Sequence, residues 1–185
     1  MRRVKAVCLD LDNTLWDTPP VISRAETVVA DWMSRHYPRM MQRYSLRSML
    51  EMRQQVAIEY PEMVHDLSFL RHQVFLRMAR ATGYDDTVAE EAFSVFFAAR
   101  NEVTLFDDVI PALRRLSARL PLFALSNGNA DLQLIGIATV FSGTYSAREF
   151  GVAKPDPRIF HEMAQRTGFS ATDILHVGDL SLIHI

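Results

Sequence analysis

Val7-Cys8-Leu9-Asp10-Leu11-Asp12-Asn13-Thr14-Leu15 decides the fold. An apolar run that starts at Val4 delivers two carboxylates two residues apart, then a hydroxyl and further apolar residues. Alternate residues of an extended strand share a face, so Asp10 and Asp12 are expected to point together toward a site just past the strand's carboxyl end. That edge is where open α/β sheets bind ligands. Two anions held this close repel unless a cation or a proton lies between them. The pair therefore reads as a magnesium site carrying a carboxylate nucleophile, set against the plainer reading of two acids that end a strand and open a turn.

Three later segments bear on that choice. Phe123-Ala-Leu-Ser126-Asn127-Gly128-Asn129 is a second apolar strand ending in a hydroxyl, followed by a turn whose backbone N–H groups can cradle phosphate oxygens. Gly151-Val-Ala-Lys154-Pro155-Asp156-Pro157 sets one lysine between a glycine and two prolines, with Pro157 suited to the first turn of a helix over 158–167. Ile174-Leu-His-Val-Gly178-Asp179 is expected to be a third buried strand that again ends in an acid. Ser126 as a turn former, Lys154 as a solvated charge and Asp179 as a turn acid are the bland readings. Together, in this order and each at a strand end, they point to phosphoryl transfer.

Hydrolysis of a phosphate monoester is among the slowest uncatalysed reactions, and enzymes supply up to ~10²¹-fold. Asp10 is expected to attack phosphorus and form an aspartyl phosphate, which divides one hard displacement into two easier ones. Asp12 is expected to protonate the leaving oxygen and then to take a proton from the attacking water. Mg²⁺ keeps several of its waters, so Asp10, Asp179 and the backbone carbonyl of Asp12 suffice to hold it. Lys154 neutralises charge on the phosphoryl oxygens and on Asp10, while Ser126 and the Asn127 N–H donate to those oxygens.

The four motifs, DLDNT at 10–14, Ser126, Lys154 and Gly178-Asp179, resemble those of the haloacid dehalogenase superfamily of aspartate-nucleophile phosphatases. The resemblance runs from Val4 to Asp179. In that superfamily the second Asp of the first motif marks phosphatases, so Asp12 argues against carbon–halogen cleavage. The strings DTPPVI (17–22), YPEMVHDLSFLR (60–71), SNGNA (126–130) and ILHVGD (174–179) are similar to the bacterial phosphatases that act on flavin mononucleotide and on the ribitylaminouracil phosphate of riboflavin synthesis. The resemblance implies an α/β fold, a doubly wound parallel Rossmann-like sheet with an inserted helical cap, and a small phosphorylated metabolite as substrate. A phosphatase for another sugar phosphate or nucleotide, or a non-catalytic member that binds phosphorylated ligands, are the competing readings.

Organisation follows from periodicity. Residues 1–16 and 102–179 are expected to form the catalytic core, and 17–101 the cap, hinged around Asp17 to Val21. Val21, Ile22, Ala25, Val28, Val29, Trp32 and Met33 recur at helix spacing, and further helices are expected from Leu46 to Val56, Leu67 to Thr82 with Gly83 as its cap, and from the capping-box string Thr87–Glu90 onward. Trp16, His65, Arg71 and His72 are candidate substrate contacts, each set against a packed or solvated role. The methionines at 40, 41, 49, 52, 63 and 78 read as cap core. Helices over 108–118 and 129–135 and strands over 122–125 and 143–146 complete the alternation that implies a parallel sheet with right-handed crossovers.

A net charge of −2 argues against a nucleic-acid partner or an anionic membrane. No stretch approaches the ~20 apolar residues of a membrane helix. The one cysteine, Cys8, is expected to be a buried thiol, and a cytoplasmic location is the default. Oligomeric state is not readable. After Asp179 the chain runs Leu180-Ser-Leu-Ile-His-Ile185, with His184 where the family pattern places a second metal-associated Asp. That hexapeptide is one reading of a transposase mosaic-end adapter (CTG TCT CTT ATA CAC ATC). Residues 180–185 are therefore expected to be a non-native tail that replaces the C-terminal part of the core, leaving a truncated form of low stability and weak activity.

Overall fold

Four consecutive apolar residues make β1, Ala6–Leu9, buried along its whole length. In the computed structural model, which describes residues 4–179, it is flanked on both sides. β2 (Leu122–Ser126), β3 (Gly143–Ser146) and β4 (Ile174–Val177) complete a four-stranded sheet in the order β3-β2-β1-β4, parallel at every pairing. Leu9 lies opposite Ala124 on one side and Val177 on the other, so the residues following β1, β2 and β4 emerge at one edge. Continuous apolar strands such as β1 and β2 belong to parallel sheets covered on both faces. The structure is α/β, as read from the strand–helix alternation.

The chain divides into two compact units, one made of residues up to Thr18 with those from Val103 onward, the other of Pro19–Glu102. The helices that lie in or lead through the second are α1 (Thr18–His36), α2 (Pro38–Arg43), α3 (Leu46–Glu59), α4 (Leu67–Ala81) and α5 (Thr87–Arg100). Its core is Ala25, Val29 and Met33 against Met40, Met49, Phe75, Met78 and Phe96, so methionines fill the irregular gaps between short helices. α4 ends as its sequence predicts: Gly83 takes φ +71°, and the N–H groups of Gly83 and Tyr84 return to the carbonyls of Arg80 and Ala79.

The start of α5 differs from expectation. Thr87 is its first helical residue and makes no capping box; its N–H is taken by Asp85 Oδ1 at 2.9 Å, a local turn that competes with the predicted cap. α2 is absent from the periodicity reading because six residues opened by a proline are too short to show a period.

In the sheet unit follow α6 (Val109–Ser117), α7 (Leu132–Ile135), α8 (Ala147–Phe150) and α9 (Pro157–Thr167). α7 is shorter than the 129–135 expected, because the Asp131 side chain caps the N–H groups of Gln133 and Leu134 and so fixes a later start. Pro157 opens α9 as predicted, with Asp156 as its cap. Cys8, Leu125, Ala147, Ile159 and Met163 form the core here. Among the described residues no helix is long and apolar enough to cross a membrane. The expected non-native tail, 180–185, lies outside the described residues.

Candidate active site

Asp10 follows β1 directly. Its N–H extends the ladder one step by donating to Val177 O at 2.8 Å, which fixes the backbone from which the carboxylate projects. Oδ1 accepts the Leu11 N–H at 2.8 Å, and Oδ2 meets Lys154 Nζ at 2.7 Å. Both residues are buried, Asp10 to 7% and Lys154 to 5% of their free exposure. Burial, with the nearby charge of Asp179, raises the Asp10 pKa; Lys154 and the Leu11 N–H oppose that rise without cancelling it.

Lys154 reaches this position through a device that the sequence reading missed. The Asn127 carboxamide clamps its main chain, accepting the Lys154 N–H at 2.7 Å and donating to its carbonyl at 2.8 Å. The Lys154–Pro155 peptide is cis. The sequence suggests Asn127 only as a backbone donor; its side chain is a bridge over 27 residues, and no local pattern announces such a pair. An Asn127→Ala variant is expected to lose about 1–3 kcal/mol, two hydrogen bonds' net worth, and to turn over more slowly, measured by urea unfolding and steady-state rates. Asn127→Asp should be no better, because its second oxygen would face the Lys154 carbonyl.

Asp10 and Asp12 are not two positions on one strand face, since β1 closes at Leu9. Beyond it the chain turns: Thr14 and Leu15 donate to Leu11 O, and Asn13 adopts φ +60°, a conformation that Asn tolerates. The two acids consequently have different partners. Asp12 Oδ1 accepts from Trp16 Nε1 at 3.0 Å and from Thr18 Oγ1 at 3.1 Å. Asn13 and Thr18 bond each other reciprocally, at 3.0 and 3.1 Å.

Asp179 lies two residues past β4, and Asn13 Nδ2 approaches its Oδ2 at 3.4 Å. Gly178 brings this segment against Asp10 so closely that a methyl group there would stand 3.0 Å from Asp10 Cβ and 3.5 Å from Oδ2. Asp10 and Asp179 are thus electrostatically coupled acids on neighbouring strand ends. Among the described residues no three acidic, His or Cys side chains form a metal cluster. The donor set nonetheless fits a hard cation that keeps most of its waters, which takes only one or two carboxylates from the protein.

Ser126, the last residue of β2, is buried, and its Oγ accepts the Gly128 N–H at 2.9 Å. Cys8, one strand position before Leu9, sits 3.4 Å from His176 Nδ1. Burial pushes its thiol up to about 12, and burial together with Lys154 lowers His176 to about 4, so both are neutral at physiological pH.

The four candidate substrate contacts are placed differently from one another. Trp16 is wholly buried, with its indole N–H on Asp12. His65 lies just before α4, half-buried. Arg71 is 8% exposed, 3.1 Å from Glu26 and 3.6 Å above the Phe96 ring; burial and Arg53 lower it to about 10. It lines a shallow cleft with Glu26, Arg53, Leu46, Leu50 and Phe75. His72 Nε2 lies 2.9 Å from Glu90.

A family model described as haloacid dehalogenase-like hydrolase matches residues 4–180. The 5-amino-6-(5-phospho-D-ribitylamino)uracil phosphatase YigB of Escherichia coli (strain K12) is 28% identical over 181 residues, 96% of this chain and 76% of that protein. The N-acylneuraminate-9-phosphatase of Homo sapiens is 25% identical over 187 residues, 97% of this chain and 75% of that one. Among solved structures, a 2-haloacid dehalogenase from Pseudomonas syringae pv. Tomato DC3000 matches with a TM-score of 0.90 and 35% identity, over 96% of this chain and 78% of that chain.

Proposed function

The chain belongs to the haloacid dehalogenase-like hydrolases, and from that premise we propose that it hydrolyses a small phosphomonoester through an aspartyl phosphate on Asp10. Asp10 attacks phosphorus, the bond to the leaving oxygen breaks, and the acyl phosphate is then hydrolysed by water. Lys154, 2.7 Å from Oδ2, offsets negative charge as the anionic phosphoryl group approaches an anionic nucleophile. Ser126 and the turn after it supply donors to the phosphoryl oxygens. Mg²⁺, held by Asp10, Asp179 and the Asp12 carbonyl, would supply further charge neutralisation.

One observation carries the choice between phosphate and halide chemistry: the ordered carboxylate of Asp12, fixed by Trp16 and Thr18. An alkoxide needs a proton to leave, whereas a halide leaves without one, so a held general acid serves phosphomonoester cleavage. The curated relatives named above carry phosphatase names, and the first of them supports ribitylaminouracil phosphate as the substrate, one of the two flavin-pathway phosphates expected from the sequence.

The test is a panel of p-nitrophenyl phosphate, flavin mononucleotide, ribitylaminouracil phosphate, sugar phosphates, nucleotides and 2-chloropropionate. Phosphate release that EDTA abolishes and Mg²⁺ restores is expected, together with a beryllium fluoride adduct that Asp10→Asn lacks. Chloride release from 2-chloropropionate without phosphate release would overturn the reading.

A further inference from the structure

Trp16 is the largest fully buried side chain of the sheet unit, yet its polar atom does not face apolar surroundings: the indole N–H is aimed at Asp12 Oδ1 at 3.0 Å. Its backbone is held on both sides, bridged to Asp12 in the parallel sense and to Leu105 in the antiparallel sense, with Phe106 N donating to Leu15 O at 3.0 Å. The ring is therefore anchored before it meets the carboxylate. An indole N–H is a donor and never an acceptor, so it cannot relay a proton. Thr18 Oγ1, the second group on the same oxygen, is a rotatable hydroxyl that can reverse its role.

From this geometry we infer that Trp16 is a positioning residue for the acid–base carboxylate. It makes Oδ1 of Asp12 a permanent acceptor and turns Oδ2 into the oxygen that hands a proton to the leaving group. The hydroxyl oxygen of a carboxylic acid is a poorer acceptor than its carbonyl oxygen, so the fixed N–H on Oδ1 favours the proton on the other oxygen. The inference rests on the reading of Asp12 as general acid and base, and assigns the orientation of that group to a residue expected to touch substrate.

A positioning role predicts an effect that scales with the leaving group's need for a proton, which simple loss of packing does not. In a Trp32→Phe background, Trp16 is replaced by benzothienylalanine, which keeps the bicyclic shape and deletes the N–H; Trp16→Phe is the genetic counterpart. The kcat/KM for an alkyl phosphate, which reports only the steps through departure of the leaving group, is expected to fall about tenfold, a part of the roughly 10²–10⁴ that general acid catalysis contributes. The kcat/KM for p-nitrophenyl phosphate, whose phenolate leaves with little help, is expected to change less than threefold on the same scale. Equal losses on both substrates, or none on either, would overturn the inference. Asp12→Asn separates the two levels: if it leaves alkyl phosphate turnover intact, the general-acid reading itself has failed, whereas a dead Asp12→Asn beside an unaffected benzothienylalanine protein condemns the role of Trp16 alone. Should Trp16→Phe fail to fold, the isosteric replacement still decides the matter.

Discussion

Replacing Lys154 with Met is expected to destabilise the protein by about 3–5 kcal/mol at neutral pH and to bring turnover to background, while Asp10→Asn combined with Lys154→Met folds better than either single variant. The reason is the burial of both partners 2.7 Å apart. Removing the ammonium alone leaves a carboxylate in a dry site; removing the carboxylate alone leaves the ammonium; removing both leaves an amide beside a thioether. The pH dependence has a definite sign. Burial already raises Asp10 above an ordinary carboxyl, and Lys154 is the main influence that holds the rise down. A carboxyl whose folded pKa is raised favours the fold below its unfolded pKa, and that contribution disappears as pH rises through the folded value. The deficit of Lys154→Met should therefore shrink toward ~pH 4, the range of an unperturbed Asp, and be greatest in neutral solution. Urea unfolding of the four proteins at both pH values measures this. A double variant no more stable than the weaker single would show that the two side chains do not act as a unit.

Gly178→Ala is expected to retain the fold and lose about tenfold in kcat, because Asp10 must give by a few tenths of an ångström, a fraction of the ~1 Å misplacement that costs roughly 10²-fold. The added methyl would stand 3.0 Å from Asp10 Cβ and 3.4 Å from His176 Nε2, closer than side chains ordinarily pack. Asp10 cannot give way without loosening either the Leu11 N–H or the Lys154 contact. Turnover and melting temperature measured on the same preparation test this; undiminished turnover would mean that the tip of β4 has room to recoil.

How far the sequence reveals this arrangement depends on whether the cause is local. β1 and β2 are legible because buried parallel strands are nearly continuous apolar runs, and an acid or hydroxyl that closes such a run stands out, as Asp10 and Ser126 do. β4, expected to be buried, is a half-exposed strand at the edge of the described sheet, legible from its apolar run and the acid Asp179 beyond it. α4 is legible from its period and from Gly83. The failures share a different origin. Whether Thr87 caps α5 or opens it depends on Asp85, two residues earlier, winning its N–H. α2 and α8 are too short to carry a period. The Asn127 clamp on Lys154 and the contact of Gly178 with Asp10 are made between strand ends far apart in the chain, where only the folded sheet brings them together. Trp16 shows the limit on side-chain reading: an aromatic beside a motif resembles a substrate contact, and its orientation toward Asp12 is decided by the turn at Asn13 and the bridge to Leu105.

The sulfur two residues ahead of Asp10 gives the protein a natural alarm. Cys8 is fully enclosed and its thiol is pushed up to about 12, so it stays almost entirely in the unreactive protonated form in neutral solution. Iodoacetamide or a maleimide should pass it by while the sheet is intact and mark it once β1 peels open. Because the sequence has a single cysteine, every mark reports that one event, and its rate clocks how often the strand that carries the nucleophile breathes.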